Sequence, residues 1–181
     1  MGKITVETCH IEGLKIITPT VYGDERGYFV ETYNHRDYVE AGIDFNFVQD
    51  NQSSSMRGVL RGLHFQINHP QDKLVRVISG EVFDVAVDLR KGSSTYGQWY
   101  GLILSAENKK QFLVPKGFAH GFVVLSEMAE FFYKCSDFYQ PNDEGGLAWD
   151  DSGIGIEWPI PDGMELIISE KDRKWGLLHE L

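Results

Sequence analysis

Glu81-Val82-Phe83-Asp84-Val85-Ala86-Val87-Asp88-Leu89-Arg90 follows Gly80 and alternates residue by residue. Phe83, Val85, Val87 and Leu89 fall on one side of an extended chain. Val82, Asp84, Ala86 and Asp88 fall on the other. A period of two specifies a strand. Two acids on an otherwise small and apolar face mean either solvent or a polar pocket. Upstream lie the strand-like runs Lys73 to Ser79 and Val59 to Gln66, separated by a loop with Pro70. Downstream, Tyr100 to Leu104, Gln111 to Pro115, Ala119 to Leu125 and Ala129 to Ser136 repeat the pattern between turns. Short strands at this spacing argue for an all-β chain.

The flanks agree. Ile4 to Tyr22 holds short apolar runs broken at Gly13 and Pro19, as edge strands do. Gly23 to Gly27 reads as a turn and Tyr28 to Tyr33 as a strand. Asn34 is placed to cap one short helix over His35 to Ala41, closed by Gly42. Phe45 to Asp50 reads as a strand and Gln52 to Gly58 as a polar, solvated crossover loop. Residues 140–163, rich in Gly, Pro and Asp, form an excursion. Met164 to Ile168 reads as a late strand and Glu170 to Arg173 as a charged turn or short helix. The expected architecture is one double-sheet jelly roll over residues 1–181, with N-terminal edge strands and its site on inward-facing strand positions.

Composition narrows the function. The 181 residues are 42% hydrophobic and carry a net charge of −10. That charge disfavours nucleic-acid binding and admits an anionic ligand only where cations converge. No apolar run approaches the roughly 18 residues of a membrane span. Met1 to Val6 lacks the apolar core of a signal peptide, and Val6 stands where a myristoylation site wants Ser or Thr. Cys9 and Cys135 have neither metal nor redox spacing, which fits a reducing cytoplasm.

Arg61-Gly62-Leu63-His64-Phe65-Gln66 carries the first chemical signal. Alternation places Leu60, Gly62, His64 and Gln66 on one face, and Gly62 is expected to leave open space beside the imidazole. Arg61 falls on the opposite face. Alone, His64 reads as a histidine satisfied within a core. Lys73, His120 and Tyr133 also lie in or beside apolar strands, and four such residues in one small barrel point to a site.

His64-Phe65-Gln66, Gly80 and Pro115-Lys116-Gly117-Phe118-Ala119-His120-Gly121 resemble the two-motif signature of the cupin jelly roll. Metal cupins place a second His where Gln66 stands and a Glu about where Lys73 falls. Only His64 and His120 then remain as good ligands, so no metal is expected. Four further stretches in order make the resemblance more specific. They are Asp24-Glu25-Arg26-Gly27-Tyr28-Phe29, Gln49-Asp50-Asn51, Leu60 through Gln66, and Gly80 through Asp88. With Gly117 through Phe122 they resemble the dTDP-4-dehydrorhamnose 3,5-epimerase family from about Val21 to Asp172.

That resemblance implies a homodimer that acts on dTDP-4-dehydro-6-deoxy-glucose without cofactor, in the cytoplasm that the cysteines suggest; the runner-up is a single-centre epimerase of another dTDP-4-keto-sugar. The resemblance implies His64 as base, Tyr133 as acid, Lys73 beside the enolate and Asp172 behind His64, with Asp84 a second candidate for that place. Arg26, Glu31, Gln49, Asp50, Asn51, Arg61, Lys73, His120, Glu144 and Lys171 match the family's substrate-binding positions. A metal cupin and a non-catalytic sugar-binding cupin are the competing classes.

Overall fold

The computed structural model describes residues 3–181. Met1 and Gly2, where the myristoylation reading fell, lie outside them. Fourteen strands appear in chain order: β1 Ile4–Thr8, β2 Lys15–Pro19, β3 Val21–Asp24, β4 Gly27–Val30, β5 Gln49–Met56, β6 Val59–Gln66, β7 Lys73–Ser79, β8 Glu81–Asp88, β9 Trp99–Ser105, β10 Gln111–Val114, β11 Phe118–Val124, β12 Met128–Cys135, β13 Glu144–Gly146 and β14 Ile167–Ile168. One sheet runs β1-β2-β10-β7-β12-β5 and the other β13-β6-β11-β8-β9, with β14 parallel to β6. The one α-helix among the described residues is α1, His35–Glu40. The Asn34 side chain caps it by accepting from the Arg36 N–H at 3.2 Å.

The two faces of β8 separate as the alternation predicts. Val82 and Ala86 join Val75, Val77, Phe112 and Phe131 of the facing sheet in the barrel interior. Val85 and Val87 point outward, yet they are equally buried, because Leu147, Ile154, Ile156 and Trp158 of the excursion cover that side. Both acids are fully buried. Asp88 accepts from Arg90, Ser93 and Thr95 and closes the turn after β8. Asp84 faces the interior.

The polar stretch Gln52 to Gly58 is not a crossover loop. Gln49 to Met56 form a strand paired along its whole length with β12. Its residues alternate between half-buried and exposed, so polar side chains can face the cavity on one side and water on the other. The hydrophobicity pattern of a core strand is therefore missing. Residues 43–48 approach this strand without pairing, and Tyr28 to Tyr33 pairs only as far as Val30. The late strand shrinks to Ile167–Ile168.

Gly62 does not open space. A Cβ at this position would lie 2.6 Å from the Gly121 Cα and 2.9 Å from the His120 carbonyl oxygen, and its φ is +125°. A Cβ on Gly121 would meet the Arg61 carbonyl oxygen at 2.6 Å. Two backbones touch here, and the ladder between β6 and β11 slips: His64 lies opposite His120, but Arg61 lies opposite Phe122. His120 and Phe122 are two apart and share a face, so the slip brings Arg61 round to the side of His64. Gly62→Ala is expected to destabilise the fold by about 2–4 kcal/mol, through the backbone clash and the positive φ. Urea denaturation of the variant against wild type measures this, and an unchanged midpoint would contradict the contact.

Candidate active site

The interior opens toward the ends of β6, β7 and β12. A cavity of about 640 Å³ is lined by Asn51, Arg61, His64, Lys73, His120, Tyr133, Lys171 and Asp172, among others. It adjoins a smaller one of about 320 Å³ that shares Asn51, His64, Lys73 and Tyr133 and adds Gln49, Tyr139 and Glu144. Four residues singled out in the sequence thus meet from four strands. His64 comes from β6, Lys73 from β7, His120 from β11 and Tyr133 from β12.

His64 is 27% exposed at its side chain, and its Nε2 lies 2.6 Å from Asp172 Oδ1. Asp172 opens a short 3₁₀ turn, Asp172–Lys174, and is buried. Burial pulls its carboxyl upward. Hydrogen bonds with His64, the Gly62 N–H and the Trp175 indole N–H outweigh that and hold it below the usual carboxylate range. A carboxylate only accepts, so Nε2 carries the proton and Nδ1 keeps its lone pair. The Trp175 ring stands edge-on to the imidazole at 6.3 Å. Asp84, the second candidate for orienting His64, sits instead under His120, its Oδ1 2.8 Å from His120 Nε2.

Burial pushes the Tyr133 phenol upward, reinforced by Cys135 and opposed by Arg61. Burial depresses Lys73, while Cys135, Asp84 and Glu144 pull it back up. Arg61 Nε donates to Ser55 Oγ at 3.1 Å. Gln49 donates to Asn51, whose amide reaches Cys135. Lys171 and Glu144 pair at 2.5 Å at the mouth. Gln66 is committed to the fold: Nε2 donates to the His69 carbonyl and Oε1 accepts from the Gln140 N–H.

Three expected residues stand apart. Asp50 points out of the barrel and pairs with Lys134 at 2.9 Å. Glu31 accepts from Asn34 beside α1. Arg26, 84% exposed, turns the β3–β4 hairpin and pairs with Asp24.

A family model described as dTDP-4-dehydrorhamnose 3,5-epimerase matches residues 8–180. The chain belongs to that family. As a dTDP-4-dehydrorhamnose 3,5-epimerase family member it is an isomerase. It is 58% identical over 170 residues to the dTDP-4-dehydrorhamnose 3,5-epimerase of Methanothermobacter thermautotrophicus, covering 94% of this chain and 92% of that one. It is 54% identical over 179 residues to that of Salmonella typhimurium, covering 98% and 96%. The crystal structure of a dTDP-6-deoxy-D-glucose-3,5-epimerase from Legionella pneumophila, in complex with dTDP-4-keto-L-rhamnose, superposes with a TM-score of 0.94 at 52% identity, covering 97% of this chain and 93% of that one.

Trp175 and Tyr139 escaped the reading of the sequence. Trp175 follows Asp172 by one turn in a stretch with no strand or helix period. Tyr139 is an exposed aromatic in a loop, its N–H donating to Gln49. In each case the available signal was a bulky aromatic beside polar residues where no core strand needs one.

Asp172→Asn is expected to lower turnover on the order of 10⁴-fold, because a donating amide facing Nε2 forces the imidazole proton onto Nδ1 and removes the free lone pair. Steady-state kinetics on folded variant protein check this. Near wild-type turnover would show that Asp172 does not set the His64 tautomer.

Proposed function

We propose that His64 and Tyr133 epimerise the sugar of dTDP-4-dehydro-6-deoxy-D-glucose at carbons 3 and 5, giving dTDP-4-dehydro-L-rhamnose for dTDP-rhamnose biosynthesis. The observation that carries this reading is their placement. His64, backed by buried Asp172, enters the cavity from one sheet, and Tyr133 enters it from the other. A ketone at carbon 4 acidifies the protons on both neighbouring carbons, so the chemistry needs a base, an acid on the opposite ring face and a stabilised enolate. It needs no cofactor.

His64 Nδ1 takes the proton from carbon 3, and the electron pair moves onto the carbon 4 oxygen. The Lys73 ammonium faces that oxygen and stabilises the enolate. Tyr133, kept protonated by its raised pKa, returns a proton from the other face. The imidazolium and phenolate exchange protons with water, and the cycle repeats at carbon 5. Arg61 and Lys171 at the cavity serve the diphosphate, with Gln49, Asn51, His120 and Glu144 as polar contacts to the rest of the substrate.

The active form proposed is a cytoplasmic homodimer. Val21, Tyr22, Tyr28 and Phe29 are exposed on the β3–β4 hairpin, an apolar surface suited to a second copy. The outer edge of β5 ends its sheet unpaired among the described residues. Seating the hairpin there would carry Arg26 and Glu31 toward the other protomer's cavity. No helix among the described residues is long and apolar enough to cross a membrane.

In deuterium oxide, wild type is expected to incorporate deuterium at both carbons. Incorporation at one carbon alone would favour a single-centre epimerase. His64→Asn should slow exchange at both by about 10²–10⁴-fold. Tyr133→Phe should wash deuterium in while forming little inverted product, since His64 can reprotonate from its own side. Normal product yield would assign the acid elsewhere. Light scattering at micromolar concentration should give the mass of a dimer, and a monomer would refute the shared site.

A further inference from the structure

Asp84 is the charged side chain inside the barrel for which the proposed epimerisation has no use. It is 0% exposed. Oδ1 holds His120 Nε2 at 2.8 Å, while Oδ2 is buried with no hydrogen-bond partner. A half-satisfied buried carboxylate is costly to fold around, and a well-packed apolar side chain in its place is often neutral or stabilising. Its neighbours on the same face of β8, Val82 and Ala86, are such side chains. Packing therefore does not account for an acid at this position.

Its surroundings do. Phe122 on β11 and Leu102 on β9 flank it in register. The titratable groups that act on it are His120 on β11 and Lys73 on β7, and Lys73 is in turn acted on by Cys135 on β12 and Glu144 on β13. Burial pulls the Asp84 carboxyl upward, and His120 and Lys73 draw it back down. Of the groups that favour the charged form of Lys73, the Cys135 thiol is pushed up to about 11 by burial, so it carries no charge near neutral pH. Glu144 is already paired with Lys171. Asp84 is the fully buried carboxylate among the groups that favour the Lys73 ammonium.

We propose that Asp84 is a positioning residue of the epimerisation, acting through His120 and Lys73. Its carboxylate fixes the His120 ring by Nε2, leaves Nδ1 for the sugar, and supplies the buried negative charge that keeps the Lys73 ammonium in place for the carbon 4 enolate. The assignment rests on the epimerase reading of this cavity.

Asp84→Asn tests it, because Oδ2 has no donor to satisfy, so the amide can turn its oxygen to His120 Nε2 and keep the shape and that hydrogen bond while the charge is removed. The expected kcat is about 10²-fold lower, comparable to losing one enolate-stabilising group, with KM little changed. Without the carboxylate, Lys73 loses its proton more readily, so the alkaline limb of the kcat–pH profile moves to lower pH. Thermal unfolding should occur at or above the wild-type temperature, since a buried charge is gone. An unchanged kcat or an unmoved alkaline limb overturns the proposal. So does a variant that loses activity and melting temperature together, which would make Asp84 structural. Wild type assayed alongside separates the two readings. Exchange in wild type with an indifferent Asp84→Asn rejects Asp84 alone, whereas no exchange in wild type rejects the epimerase reading itself.

Discussion

The contact of the Gly62 and Gly121 backbones is the constraint on which the cavity depends. No other residue lets β6 and β11 approach so closely, since a Cβ on either would fall within 2.6 Å of the opposite main chain. The slip in register that goes with it places Arg61 and His64 on one face. It also leaves His64 directly across from His120. A regular ladder would have sent Arg61 into solvent behind the sheet, away from the group it shares a cavity with.

Around that contact the barrel solves an electrostatic problem. A chain of net charge −10 belonging to a dTDP-sugar epimerase family must gather cations where it is otherwise hostile to anions. Lys73 and Arg61 come from neighbouring stretches of chain, and Lys171 reaches the mouth on a segment held by its pairing with Glu144. Each imidazole is backed by a buried carboxylate, His64 by Asp172 and His120 by Asp84. The two pairs differ in what surrounds the acid. Asp172 collects a backbone N–H and an indole N–H besides the imidazole, and its pKa falls. Asp84 has one partner, and burial raises its pKa. The same side-chain pairing therefore yields one firmly ionised carboxylate and one whose charge is expensive and depends on its cationic neighbours.

Both faces of β8 are covered, which explains its outward residues. Phe83, Val85 and Val87 pack under residues 147–158 instead of facing water. The excursion then returns through β14 alongside β6 and delivers Asp172 behind His64. The irregular C-terminal part of the chain thus packs against β6 from outside and supplies the carboxylate that holds His64.

The sequence by itself determined the strand framework, because side-chain alternation is a local property of an extended chain and survives reading one residue at a time. It determined the capped helix at Asn34 for the same reason. The ordered motifs around Arg26, Asn51, His64, Asp84 and His120 determined the family. Only the tertiary structure decided which carboxylate stands behind which histidine, because Asp172 and Asp84 reach their partners across 108 and 36 residues of chain. It alone showed β5 as a strand, since a polar edge strand owes its conformation to hydrogen bonds from β12 and not to its own hydrophobicity. It alone brought Arg61 to the side of His64, because a slipped register is a relation between two strands and leaves no period in either.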